Sequence, residues 1–421
     1  MLLRAAVASG VEYVDLEEDA AKAIPRYGKT KRIVSIHNFE ETPDDLEAIH
    51  ERLSKIDADI IKIATIAHSF SDVIRTLRLM ETAQTPTIAI SMGDIGTVTR
   101  VLGPRFGAPF TYCTFSSERR VAPGQLTFQQ MTKLYRVNEI NADTRIFGVI
   151  ADPVMQSLSP LIHNSAFVAQ NINARYIPFR VTSEDLSLFL RWAQEFGIGG
   201  LSVTIPHKEA VIPMLTRAES SAQDIGAVNT LALTKEELIG YNTDYRSAMD
   251  CLVEEMTSMT STPDPFRGRN VLILGAGGVS RAIGYGMRQR GANVFIASRT
   301  MERSEKLAQS IGGRAVPWQA RHELKAAVLI NGTPIGMFPD VDSTPFDAAR
   351  LDARMLVFDT IYNPNPSLLL KQAHSAGCRT ISGVKMFVQQ AAYQYKLFTG
   401  QEPPLETMNA VIRKAISPVN F

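Results

Sequence analysis

The front of the chain repeats one pattern: a short apolar run, a polar loop, then a stretch with apolar residues at helical spacing. The runs VEYVDLEE, KRIVSIHNF, ADIIKIATIA, PTIAISMG and PFTYCTF, between Val11 and Phe115, read as strands of successive βα units in a parallel sheet. Residues 126–135 carry helical spacing and close the segment. These units are too few to close an eight-stranded barrel. After the polar connector Asn141-Ala142-Asp143-Thr144 the alternation begins again, with strands predicted at 145–150, 174–179, 200–204 and 230–233. The turn-rich stretch TSTPDP at 260–265 marks a second boundary. RNVLILGAGGVSRAIGYGM follows as strand, glycine turn and helix in immediate succession. A helical segment from about Met386 is expected to pack back on the middle domain. The pattern divides the chain into 1–142, 143–262 and 263–383, with 384–421 returning to the second of these.

A chain of 421 residues is long enough for two or three domains, each with its own core. Hydrophobic residues at 45%, charged residues at 21% and a net charge of +1 describe an ordinary globular protein with no general attraction to polyanions. Nucleic acid and membrane are therefore not expected partners; small molecules are. Oligomeric state is not readable. Cys113, Cys251 and Cys378 are widely spaced and outside any CxxC pattern, so neither a disulfide framework nor a zinc site is indicated, and a reducing cytoplasm fits best. His37, His163 and His207 form no ligand cluster with the other histidines, and no metal is expected. No apolar run approaches the roughly 18 to 20 residues that span a bilayer, and the first residues do not read as a signal peptide.

Gly275-Ala276-Gly277-Gly278-Val279 follows a buried-type strand and opens a helix, the context in which glycines let the backbone approach a pyrophosphate. The next predicted strand ends in Ser298-Arg299-Thr300, where an NAD enzyme places an acidic residue on the ribose. An arginine there, with Arg303 one turn on, suits the 2′-phosphate of NADP by charge and forked geometry. Lys62 stands out on its own. It lies amid Ile60, Ile61, Ile63 and Ala64 in a strand apolar on both faces, where an ammonium is costly unless it has partners or work. Desolvation favours a neutral amine, able to attack a ketone and form a Schiff base.

Three polar clusters precede the glycine turn: SLSP from Ser157, SVTIPHK from Ser202 and GYNTD from Gly240. Taken singly, each reads equally as a loop or helix cap. Their order decides. DPVMQSLSPLIHN, SVTIPHK, GAVNT, GYNTD, the GAGG turn, NGTPIGM, DTIYNP and KMFVQQAA together resemble shikimate dehydrogenases from Phe147 to about Phe398. The resemblance implies reduction of 3-dehydroshikimate to shikimate with NADPH, in aromatic amino acid biosynthesis. It implies that Ser157 and Ser159 hold the substrate carboxylate, with Tyr362 near it, and that Thr204, Asn229 and Gln390 meet the ring hydroxyls. Lys208 and Asp244 match the catalytic pair. Thr333, Gly383 and Met386 match cofactor neighbours, beside the glycine turn. A quinate or quinate/shikimate dehydrogenase would share nearly all these motifs; Arg299 argues against the NAD-preferring kind.

Residues 1 to about 135 resemble the second half of type I 3-dehydroquinate dehydratases, through VEYVDLE, IVSIHNF, ADIIKIA and APGQ. That resemblance implies a Schiff-base lysine at Lys62, a general acid/base at His37, substrate-binding positions at Arg100 and Gln125, and a supporting carboxylate at Asp15. The expected architecture is α/β throughout, an incomplete (βα)8-barrel segment followed by a two-domain dehydrogenase with a Rossmann NADP domain. About three βα units of the dehydratase barrel are missing at the front, Met1 falls inside an expected helix, and Val121 stands where the family often has serine. A start assigned too late, a fragment, or a half-barrel kept as a structural module would each give this. Dehydratase activity is not expected of the chain as written, and an open half-barrel is expected to need cover for its apolar surface.

Overall fold

The computed structural model describes residues 2–154, 157–260 and 262–416. It divides into two compact units. The first comprises Met1–Pro160, Asn171–His207 and Leu233–Glu236; the second comprises Leu161–Gln170, Lys208–Ala232 and Glu237–Phe421. The division runs through the 143–262 stretch.

The first unit opens with four parallel strands in sequential order: β1 (Tyr13–Glu17), β2 (Lys31–Asn38), β3 (Ile60–Ile66) and β4 (Thr87–Met92). The six residues Ile60–Thr65 of β3 and all six of β4 are buried, as strands covered on both faces must be. The fifth predicted run, PFTYCTF, forms no strand; its one ladder contact is an isolated bridge between Thr114 and Thr127. Phe110 and Tyr112 instead lie against Ile33, Ile60, Ala64, Ile88, Ile90 and Met92. Both rings are half-buried there, which accounts for the apolar character of the run without a strand.

The other side of the sheet carries the helix Phe70–Thr82. Its start is fixed by a capping box in which the Ser69 and Asp72 side chains each take a backbone N–H. Phe70, fully buried, packs edge-on to Phe189 at 4.8 Å and Trp192 at 5.2 Å, both on the helix Leu186–Phe196. The Phe70 N–H donates to Asp185 at 2.9 Å. This packing covers the outside of the helix Phe70–Thr82; the outer edge of β1 has no ladder partner among the described residues, and Phe39, Phe115, Val121 and Phe128 are exposed. The unit also holds β5 (Arg145–Ala151), β6 (Ala174–Arg180) and β7 (Gly200–Val203), parallel in the order β6-β5-β7.

The second unit contains β8 (Arg217–Ala218), β9 (Thr230–Leu233) and β10 (Leu238–Tyr241), in the order β9-β10-β8. Then comes a six-stranded parallel sheet: β11 (Asn270–Leu274), β12 (Asn293–Ala297), β13 (Arg314–Ala315), β14 (Val328–Asn331), β15 (Leu356–Asp359) and β16 (Arg379–Ile381). Val271 and Ile273 enter one core and Leu272 and Leu274 the other, so β11 is sandwiched between two apolar layers. The order β13-β12-β11-β14-β15-β16 reverses direction between β11 and β14, which opens a crevice at their carboxyl ends where doubly wound sheets bind dinucleotides. The helix Gly383–Thr399 packs along the helix Thr243–Met259. Among the described residues no helix is long and apolar enough to cross a membrane, and no group of three metal-ligating side chains occurs.

Candidate active site

In the second unit, the Lys208 ammonium donates to Asp244 Oδ2 at 2.5 Å, with both side chains largely shielded from solvent. Local structure fixes both. Asn242 caps the helix Thr243–Met259, accepting from the Tyr245 N–H at 2.9 Å while its amide donates to the Ala227 carbonyl at 2.9 Å. That puts Asp244 in the first helical turn, where unpaired N–H groups favour a carboxylate. The Lys208 backbone carbonyl accepts from Val228 N–H at 2.8 Å. Asn229, buried, accepts from Thr243 N–H at 2.7 Å and donates to Thr243 Oγ1 at 3.0 Å, so one cap organises both Asp244 and Asn229.

The glycine turn lies beside this pair. A Cβ placed on Gly278 would stand 3.3 Å from Lys208 Cδ, so the lysine stem runs against the start of the helix Gly278–Gln289. Gly275 has φ +99°, and a Cβ there would fall 2.8 Å from the Gly332 carbonyl oxygen. Gly277 is exposed and faces open space, while Ala276 and Val279 are half-buried. Ser298 donates to the Thr300 carbonyl at 2.7 Å and shares a 2.7 Å hydrogen bond with Ser304. Arg299 and Arg303 are exposed and make no ion pair among the described residues, leaving both guanidinium groups available to an anion.

Thr333 donates through its N–H and hydroxyl to Asn331 Oδ1 at 3.0 and 2.7 Å. A Cβ on Gly383 would fall 2.3 Å from the Ile361 carbonyl oxygen, which no side chain allows. Met386 and Gln390 are buried on the helix begun by Gly383, and Gln390 donates to the Phe387 carbonyl at 3.1 Å. Tyr362 stacks on Phe387 at 4.7 Å, and burial pushes its phenol up. Asp359, which sequence reasoning passed over, is fully buried, and burial pushes its carboxyl up to about 6.

In the first unit, Ser159 donates its N–H to Ser157 Oγ at 3.2 Å, and Thr204 donates its N–H to the Ile150 carbonyl at 3.2 Å. The hydroxyl of buried Tyr176 meets Ser202 Oγ at 2.5 Å and also bonds the Ser159 side chain. A tyrosine in an apolar strand gave no signal of this in the sequence.

The half-barrel gathers its own group. Strand register places Asp15, His37 and Lys62 on the face that carries Tyr112. Lys62 donates to Asp15 Oδ2 at 2.7 Å and lies 4.7 Å from the centre of the Tyr112 ring. The expected buried lysine is therefore paired. His37 Nδ1 is bonded to Glu17 and its ring stacks on Phe39. Arg100 is buried with its Nε unpartnered, and desolvation pulls its guanidinium down to about 10. Gln125 accepts from the Val121 N–H at 2.9 Å.

Family models match the chain as type I 3-dehydroquinase over residues 1–142 and as shikimate dehydrogenase substrate binding domain over 149–231. They also match as NADP oxidoreductase coenzyme F420-dependent over 270–360 and as shikimate 5′-dehydrogenase C-terminal domain over 383–413. The bifunctional 3-dehydroquinate dehydratase/shikimate dehydrogenase of Arabidopsis thaliana, named as chloroplastic, is 38% identical over 98% of this chain and 71% of its own length. The shikimate dehydrogenase (NADP+) of Methanocaldococcus jannaschii is 38% identical over 65% of this chain and 99% of its own. Among solved structures, a shikimate dehydrogenase in complex with NADP+ is 36% identical with a TM-score of 0.61, covering 66% of this chain and 98% of its own. The Thermus thermophilus enzyme in complex with NADP(H) and shikimate is 31% identical with a TM-score of 0.57, covering 64% and 99%. With the half-barrel in front and the Lys208–Asp244 pair beside a dinucleotide turn behind, the chain belongs to the family of bifunctional 3-dehydroquinate dehydratase/shikimate dehydrogenases.

Proposed function

We propose that this chain catalyses the reversible, NADP-dependent reduction of 3-dehydroshikimate to shikimate, with Lys208 and Asp244 as the catalytic pair. The observation that carries this is the 2.5 Å contact between them, on a lysine whose stem lies against the glycine turn. The open space at Gly277 and the unpaired guanidinium groups of Arg299 and Arg303 fit NADP, its pyrophosphate at the turn and its 2′-phosphate at the arginines. Bound NADPH supplies the hydride. Lys208 meets the oxygen of the C3 ketone and delivers a proton as negative charge develops there; Asp244 holds the ammonium in place. Ser157 and Ser159 take the substrate carboxylate with Tyr362 near it, and Thr204, Asn229 and Gln390 take the ring hydroxyls. Thr333, Gly383 and Met386 border the nicotinamide. The domains follow 1–142, 143–262 with 384–421, and 263–383.

Comparing kcat/KM for shikimate with NADP against quinate with NAD tests this reading. A clear preference for the first supports it; a preference for the second moves the chain to the quinate class. A quinate dehydrogenase from Corynebacterium glutamicum in complex with NAD has the same fold at 29% identity and a TM-score of 0.59, so substrate choice rests on side chains. For the half-barrel, Lys62 and His37 are the Schiff-base lysine and general acid/base. Borohydride treatment with 3-dehydroquinate separates a working lysine, which gains a reduced adduct, from the inactivity expected of the sequence. The three thiols, all free, support a reducing compartment such as the cytoplasm.

A further inference from the structure

Asn331 and Asp359 lie opposite each other at the carboxyl ends of β14 and β15, and both are completely buried. Every polar atom of the two side chains is engaged. Asp359 Oδ1 accepts from Asn331 Nδ2 at 3.0 Å and from Ile361 N–H at 3.1 Å, and its Oδ2 accepts from the Ser367 hydroxyl at 2.5 Å. Asn331 Oδ1 accepts twice from Thr333, and its main-chain carbonyl accepts from Thr360 N–H at 3.1 Å and Thr360 Oγ1 at 2.9 Å.

The network has a direction. An ionised carboxylate only accepts, so Asp359 forces the NH2 of Asn331 toward itself and the amide oxygen toward Thr333. A flipped amide would set oxygen against oxygen in a completely buried site, a loss comparable to leaving a buried group unpaired. The two loops fixed in this way border the rest of the nucleotide site. Thr333 and Gly332 crowd Gly275, whose Cβ would meet them at 3.1 and 2.8 Å, and the carbonyls of Thr360 and Ile361 crowd Gly383.

We propose that Asn331 and Asp359 are positioning residues for the nicotinamide end of the cofactor, holding loops 332–337 and 360–367 in one relation to the glycine turn. The proposal rests on the NADP reading above. Neither side chain touches the cofactor; each acts through Thr333 and Gly383.

The test uses the full chain carrying Asp359→Asn, whose single acceptor oxygen can no longer serve Asn331, Ile361 N–H and Ser367 together as the carboxylate does, and separately Ser367→Ala, which removes a donor from the far end. NADPH affinity is titrated by the cofactor's own fluorescence, shikimate KM at saturating NADP, and cofactor-free stability by urea. The expected result is NADPH binding about tenfold weaker in Asp359→Asn and about threefold weaker in Ser367→Ala, with shikimate KM, which feels the 360–367 loop through Tyr362, changed less than NADPH affinity. Without cofactor the urea midpoint should not fall in Asp359→Asn, and in Ser367→Ala it should fall only by the loss of the cap that Ser367 gives the helix Leu368–Ser375. If Asp359→Asn fails to fold, Ser367→Ala decides. A folded variant that binds NADPH as wild type overturns the proposal, as does a parallel loss of NADPH affinity, shikimate affinity and urea resistance, the mark of a merely structural role. Wild-type protein that binds no NADPH would instead sink the cofactor reading beneath it.

Discussion

The Lys208 stem fills the space beside Gly278: its Cδ lies 3.3 Å from where a Cβ on Gly278 would stand. The residue proposed to deliver the proton is therefore braced against the turn proposed to hold the cofactor. Gly278→Ala keeps room for the fold but displaces the lysine stem by a few tenths of an ångström. We expect kcat to fall by roughly 3- to 10-fold with little change in thermal midpoint, because small misplacements of a reacting group are costly. Unchanged kcat would mean that the brace does not matter.

Cofactor choice should reside in Arg299. Replacing it with alanine removes a fork-shaped cation from the edge of the site, and the KM for NADP should rise about tenfold or more while that for NAD stays level. Equal changes for both cofactors would place the arginine elsewhere than on the 2′-phosphate.

The packing of the helix Phe70–Thr82 against the helix Leu186–Phe196 depends on Phe70. Phe70→Ala empties a completely buried site between Phe189 and Trp192 and should cost about 3 to 5 kcal/mol in urea unfolding. Limited proteolysis should then cut within residues 1–142 first. Cleavage unchanged from wild type would contradict this packing.

Asp359 gives a pH signature of known sign. Its folded carboxyl is raised to about 6 from an ordinary 3.8, and its partners, Ser367, Ile361 N–H and Asn331, are all neutral. The folded state thus holds the proton more tightly than the unfolded chain. The stability linked to that proton is fully present below the unfolded value and is lost as pH rises through about 6, a change of about 3 kcal/mol. Wild type minus Asp359→Asn, measured by urea unfolding from pH 4 to 7, should fall across that window. A flat difference would show that Asp359 does not titrate there.

Much of this was legible in the sequence where periodicity and motif agreed. The βα alternation located β1 to β4, and the GAGG turn located the crevice between β11 and β14, because buried parallel strands and glycine turns leave strong local patterns. PFTYCTF misled for the same reason: Phe110 and Tyr112 are half-buried on the face of a sheet rather than within it, while Phe115 is exposed. The two-residue strands β8 and β13 are too short for any pattern to show. The roles of Asp359 and Tyr176 were not legible because they lie in partners distant along the chain, Asn331 for Asp359 and Ser202 for Tyr176.

The Lys208–Asp244 pair, acting at the carbonyl, should be indispensable to turnover but not to cofactor binding. Purified wild type and Lys208→Ala should be assayed at 340 nm with shikimate and NADP, with NADPH binding measured in both. Wild type should reduce NADP, and the variant should still bind NADPH but turn over some 10²- to 10⁴-fold more slowly. A Lys208→Ala protein that reduces NADP at the wild-type rate would contradict it.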